Sequence, residues 1–246
     1  MLAFALEAGK HGVIAAQIAA WRALSPEQRA EESARIEHAD RAARERERDL
    51  RRMARRDRLR ELSGVEARFC GALLTDLDWA GNEQAHTAAM QALSTRALWL
   101  FGEVGAGKTH IAAALVNDAI AHDREAVMIS GIEMLARIKS SYDDAGSVKP
   151  ECVDVIGRLS NVAVLALDDL GKERFTAWAA EQFMLLVDAR YRKNLPMIVT
   201  SNIAPRELAM HWESHGMDAA YGPALVRRIV SMTGAPVQVH ARRGAA

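Results

Sequence analysis

The apolar run Leu98-Trp99-Leu100-Phe101 leads without a break into Gly102-Glu103-Val104-Gly105-Ala106-Gly107-Lys108-Thr109, and a segment with helical patterning follows, at about residues 107–121. Strand, then G-x-x-x-x-G-K-T, then helix is the P-loop arrangement. At average glycine usage, a chance match somewhere in a chain this long has odds of roughly one in a hundred. The glycines let successive backbone N–H groups turn toward one anion, and the N-terminus of the following helix adds positive potential there. Residues Gly102, Glu103, Val104, Gly105, Ala106, Gly107, Lys108, Thr109 and His110 are therefore the candidate cradle for ATP. Lys108 is expected to neutralise the β- and γ-phosphates and the Thr109 hydroxyl to ligate Mg²⁺. Such a loop works at the C-terminal end of a buried strand, so the rest of the chain has to build a sheet around it.

Further apolar runs meet that demand. Ala97–Phe101, Ala126–Ser130, Val162–Leu167, Met197–Thr200 and Pro236–His240 read as strands, and helical patterning lies between them at about 131–141, 150–159, 174–193, 205–212 and 222–232. Apolar strands alternating with helices predict an α/β fold with a mainly parallel sheet covered on both faces. The third run ends in Asp168-Asp169, two acids at the end of a buried strand, where ligand sites of open α/β sheets lie. Asp168 is expected in the Mg²⁺ shell and Asp169 to orient or deprotonate the attacking water; a plain turn would also tolerate both. The fourth run ends in Thr200-Ser201-Asn202. Asn202 suits a hydrogen bond to a γ-phosphate or its water, and Ser-Asn before Ile203-Ala204-Pro205 suits a helix cap equally well. On the last helical segment, Arg227 and Arg228 are either solvated or able to reach the γ-phosphate bound by another subunit.

Composition narrows the classes. The 32 basic and 32 acidic residues cancel, so no global field commits the chain to nucleic acid or to an acidic membrane. Two cysteines, Cys70 and Cys152, form no Cys-x-x-Cys or Cys/His cluster, so the sequence supports neither a disulfide framework nor a zinc site and fits a reducing cytoplasm. Glu7, Lys10 and His11 interrupt the apolar start too early for a bilayer span, so residues 2–22 read as a helix that packs on something. Ser25-Pro26-Glu27-Gln28 then signals the start of a helix over 26–62. From Arg35 to Leu62 eleven arginines stand against seven acids, and the segment reads as a solvated connector or as a partner- or nucleic-acid-binding arm. Residues 63–96 carry little pattern.

Gly102–His110, Asp168-Asp169-Leu170-Gly171-Lys172, Thr200–Asn202 and Leu225-Val226-Arg227-Arg228-Ile229 together resemble the AAA+ ATPases of the DnaC/IstB type, the bacterial and phage replicative-helicase loaders and transposition helper ATPases. The likeness takes in Ser63-Gly64-Val65-Glu66-Ala67-Arg68-Phe69 ahead of the core and Leu135–Tyr142 after the second strand. It implies a five-stranded P-loop core at 96–246 without a C-terminal lid, a linker and start of the ATPase domain at 63–95, and a helical N-terminal region at 1–62 that grips a partner. Asp168 and Asp169 fall on the Walker B pair, Asn202 on sensor 1 and Arg228 on the trans-acting arginine finger, with Arg227 its less favoured neighbour. Many AAA+ proteins carry Glu where Asp169 stands, so the shorter side chain implies slow turnover.

The resemblance also implies ATP-dependent self-association and single-stranded DNA as ligand. Tyr142 and Trp178, beside Lys139, Lys172 and Arg174, are the candidates for stacking on bases. The expected function is loading of a DnaB-type hexameric helicase through residues 1–62, or else a transposition helper role. A small-molecule phosphotransferase fits the Asp-Asp, Asn202 and Arg228 set less well, and a non-catalytic adaptor would use ATP only to set its conformation.

Overall fold

The computed structural model describes residues 20–141, 154–174, 176–215 and 221–241, and the chain divides into two compact units, 1–54 and 55–246. Tyr142 and the expected helix at 2–22, apart from its last residues, lie outside the described residues. Helix α1, Pro26–Leu62, starts where its cap predicts: the Gln28 N–H donates to Ser25 Oγ at 3.2 Å and the Ser25 N–H to Gln28 Oε1 at 2.9 Å, a reciprocal capping box. No residue of α1 is buried, and i,i+4 pairing such as Arg51–Glu47 at 2.6 Å supports it. Among the described residues no helix is long and apolar enough to cross a membrane.

The second unit is a parallel five-stranded sheet in the order β2-β3-β4-β1-β5, built from β1 Leu98–Gly102, β2 Ala126–Ser130, β3 Val164–Leu170, β4 Met197–Ser201 and β5 Val237–Val239. The two-residue period of the strands divides their side chains between two cores. Trp99, Val127, Leu165, Leu167 and Val199 face one layer, made by α4 Gly131–Ser140, α5 Val155–Leu159, α6 Ala177–Arg192, α7 Pro205–Ser214 and α8 Tyr221–Thr233. Leu98, Leu100, Met128, Ala166 and Ile198 face the other, made by α2 Glu83–Thr95 and α3 Lys108–Ala121. That second layer is rich in alanine, which brings the P-loop helix close to the sheet.

Two features depart from the sequence reading. Helix α2 stands in the stretch without evident pattern, because its inward face is only Ala85, Ala89 and Ala92. Strand β3 does not stop at Leu167; it starts two residues later than expected and continues to Leu170 through a register shift between Leu167 and Leu170. The strand at Ala126–Ser130 and the helix at 26–62 have the expected bounds, the first residues of the helix expected at 150–159 lie outside the described residues, and the other expected elements differ by up to three residues at their ends.

Candidate nucleotide site

The P-loop joins β1 to α3, whose first turn begins at Lys108. Gly102 has φ +142°, and a Cβ there would fall 2.1 Å from the Val239 carbonyl oxygen. The first glycine of the loop is thus required by the neighbouring strand β5 as well as by any ligand. Gly107, at φ +89°, makes the left-handed entry into α3. The Lys108 ammonium is buried and folded back on the loop, donating to the carbonyl oxygens of Gly102 at 2.8 Å and Glu103 at 2.7 Å. Burial lowers its pKa from the ordinary lysine value, and the charges of Asp169 and Asp168 act against that.

The two acids sit on the irregularity in β3. Asp169 adopts φ +59°, a left-handed conformation that Asp tolerates better than most residues, and this turns consecutive carboxylates toward one site instead of opposite faces. Thr200 on β4 holds both: its hydroxyl donates to Asp168 Oδ1 at 2.6 Å and accepts the Asp169 N–H at 2.8 Å. The Thr109 hydroxyl donates toward the Asp168 carboxylate, 3.2 Å from each oxygen. Asn202 Nδ2 donates to Asp169 Oδ1 at 2.9 Å, and Lys172 is ion-paired with the other oxygen of Asp169. Burial raises the pKa of Asp168; the Thr200 and Thr109 hydroxyls oppose the shift, and the charges of Asp169 and Glu66 add to it. Arg68, Phe69, Gly107, Lys108, Thr109, Asp169, Thr200 and Asn202 line one cleft of about 450 Å³. A second, of about 560 Å³, lies across the P-loop between Asp76–Asp78 and His240, and His110 borders both. The carboxylate of Asp168 and hydroxyl of Thr109 form a hard oxygen donor pair of the kind Mg²⁺ takes.

Lys108, Thr109, His110, Asp168, Asp169 and Asn202 therefore come together, as does Lys172. Lys139, Arg174 and Trp178 are exposed and belong to neither cleft. Arg228, on α8, is ion-paired with Asp188 at 2.7 Å, part-exposed and outside the cleft of its own chain; Arg227 beside it is exposed. Sequence reasoning named Thr200 only as part of Thr200–Asn202, and Arg68 and Phe69 only within Ser63–Phe69, and gave none of the three a role. It also passed over Asn82, whose side-chain amide exchanges two hydrogen bonds with the backbone of His240, at 3.1 and 2.8 Å, and so ties the start of α2 to the end of β5.

The family model described as IstB-like ATP binding protein matches residues 11–241. The chain is 27% identical over 118 residues, 48% of this chain and 36% of the relative, to the replicative helicase loader DnaI of Bacillus subtilis. The matched stretches span about a third of the length of the curated relatives, 36% and 34%. Among solved structures, a crystal structure of DnaI superposes with a TM-score of 0.60 at 22% identity, covering 75% of this chain and 98% of that one. The crystal structure of the DnaC helicase loader gives 0.57 at 20% identity, covering 71% and 99%. At these identities the superpositions establish the shared fold.

Proposed function

Because the chain belongs to the IstB-like ATP binding proteins, we propose that it hydrolyses ATP and uses the cycle to deliver a hexameric replicative helicase onto single-stranded DNA. The observation that carries the catalytic part is the hydrogen-bonded series Thr109–Asp168–Thr200–Asp169–Asn202 beside the Lys108 cradle. In this reading Lys108 leaves the Gly102 and Glu103 carbonyls for the β- and γ-phosphates, and the P-loop N–H groups hold the phosphate chain. Asp169 accepts a hydrogen bond from the attacking water, and Asn202 fixes that carboxylate or the γ-phosphate. Thr109 and Asp168 would hold Mg²⁺, which supplies charge neutralisation on the phosphates. Arg228 acts on the nucleotide of a neighbouring copy, so assembly and hydrolysis are coupled.

The likeness to proteins named helicase loaders supports the helicase as partner. The expected division into a partner-binding region at 1–62, a linker at 63–95 and an ATPase core at 96–246 belongs to the same proposal, as does a cytoplasmic setting. The test is capture of a purified hexameric helicase by the full chain with ATP, lost on deletion of residues 1–62, together with hydrolysis stimulated by single-stranded DNA. A second reading, a transposition helper acting on duplex DNA, draws on the match being to an IstB-like family model. Capture of a transposase but not of the helicase would select it.

A further inference from the structure

The segment 63–72 reaches the mouth of the cleft, and neither the P-loop nor the acids require it there. Its backbone is anchored at both ends. The Met128 N–H donates to the Ser63 carbonyl at 2.7 Å, and Gly64, at φ +72°, lies so close that a Cβ would sit 2.4 Å from the Met128 oxygen. At the other end the Asn117 side chain, from α3, donates to the carbonyls of Phe69 at 2.9 Å and Ala72 at 3.2 Å. Between these anchors Glu66 and Arg68 form an exposed ion pair at 2.7 Å. The Arg68 guanidinium also lies over the Phe69 ring, 4.7 Å from its centre, and that ring meets His110, next to Thr109, at 5.6 Å. Arg68 thus borders the same cleft as Lys108 and Asp169, and Glu66 is near enough for its charge to be felt at Asp168.

Among the described residues, three lysine or arginine side chains border this cleft. Lys172 is held by Asp169, and Lys108 is buried on the loop carbonyls. Arg68 has the most exchangeable partner, since both members of its pair are largely solvent-exposed and such a pair contributes little. A guanidinium stacked on an aromatic face keeps its N–H edge available, and that edge matches a phosphate bidentately.

We propose that Arg68 is a second phosphate-binding cation of the cleft, supplied by the same chain, which engages the terminal phosphate of a nucleoside triphosphate in exchange for Glu66. The inference rests on the reading of the cleft as a nucleotide site. The exchange requires only side-chain rotation on an anchored backbone, and it makes the cleft prefer three phosphates to two. Calorimetric titration of the full chain with Mg²⁺ and either ADP or the β,γ-methylene analogue of ATP tests it. Arg68→Ala should weaken the analogue about fivefold to tenfold while leaving ADP within about twofold, and Arg68→Lys should recover part of the loss. Glu66→Gln, which releases Arg68, should tighten the analogue and leave ADP unchanged. Equal weakening of both nucleotides by Arg68→Ala, or none, would overturn the inference with the cleft assignment intact. An unmutated chain that binds neither nucleotide would overturn the cleft assignment itself, and this inference with it.

Discussion

Asp168 stands where function and stability conflict. In the proposed reaction its carboxylate would hold a cation, and burial raises its pKa in the protein without ligand. Glu173, buried and accepting the Gly171 N–H and the Trp212 indole N–H, is raised for the same reason. A carboxyl whose folded-state pKa exceeds its unfolded value keeps its proton longer when folded. In the window between those values the folded chain binds more protons, so stability declines as pH rises through it and levels off above. Asp168→Asn should therefore raise the melting midpoint at neutral pH without nucleotide, by about 2–4 °C for a gain on the order of 1 kcal/mol, and flatten the decline. Thermal denaturation across pH 4 to 8 measures both, and a lower midpoint throughout would contradict the electrostatic account. Hydrolysis should be lost in the same variant.

At the scale of elements, the layer of α4–α8 is held by a residue that no motif singles out. Arg190 on α6 is fully buried and donates to the carbonyl oxygens of Leu159 at 2.7 Å, Val162 at 2.8 Å and Pro196 at 2.6 Å. These carbonyls lie at the end of α5, before β3 and before β4, where the chain leaves regular structure and has no ladder to satisfy them. Burial lowers the Arg190 pKa to about 10, so the guanidinium stays charged at neutral pH. Arg190→Met removes all three donors and should cost about 2–4 kcal/mol, read as a lower denaturant midpoint. Arg190→Lys should recover little, because a compact ammonium cannot span the three carbonyls. An unchanged midpoint in Arg190→Met would remove this role.

For the whole molecule, the question is whether a nucleotide site is complete within one chain. Arg228 is paired with Asp188 and does not border its own cleft, whereas Lys108, Asp168 and Asp169 meet within a single copy. If Arg228 serves a neighbour, Arg228→Ala should bind ATP normally and hydrolyse it at least about tenfold more slowly. Lys108→Ala should fail to bind it. Mixed together, the two inactive variants should regain activity, since a Lys108→Ala copy can lend its arginine to the intact P-loop of an Arg228→Ala copy. Steady-state ATPase assays of the mixture decide the matter: activity no higher than the sum of the separate variants would place Arg228 outside the reaction.

Local spacing was enough to read the P-loop from Gly102 to Thr109, the acids after an apolar strand and the Ser25 cap, because each needs particular residue types at particular separations along the chain. The same holds for the parallel sheet, whose strands are apolar on both faces. Helix α2 was not legible, since a face of alanines has no amphipathic contrast until α3 covers it. Nor was the turn at Asp169, which comes from a mismatch in pairing with β4, nor the grip of Thr200 on both acids from 31 and 32 residues away. The position of Arg68 belongs here too: what brings it to the cleft is the hold of Met128 and Asn117 on the backbone around it. Contacts between segments distant in sequence leave no periodic trace in the chain, and only folding decides which of them form.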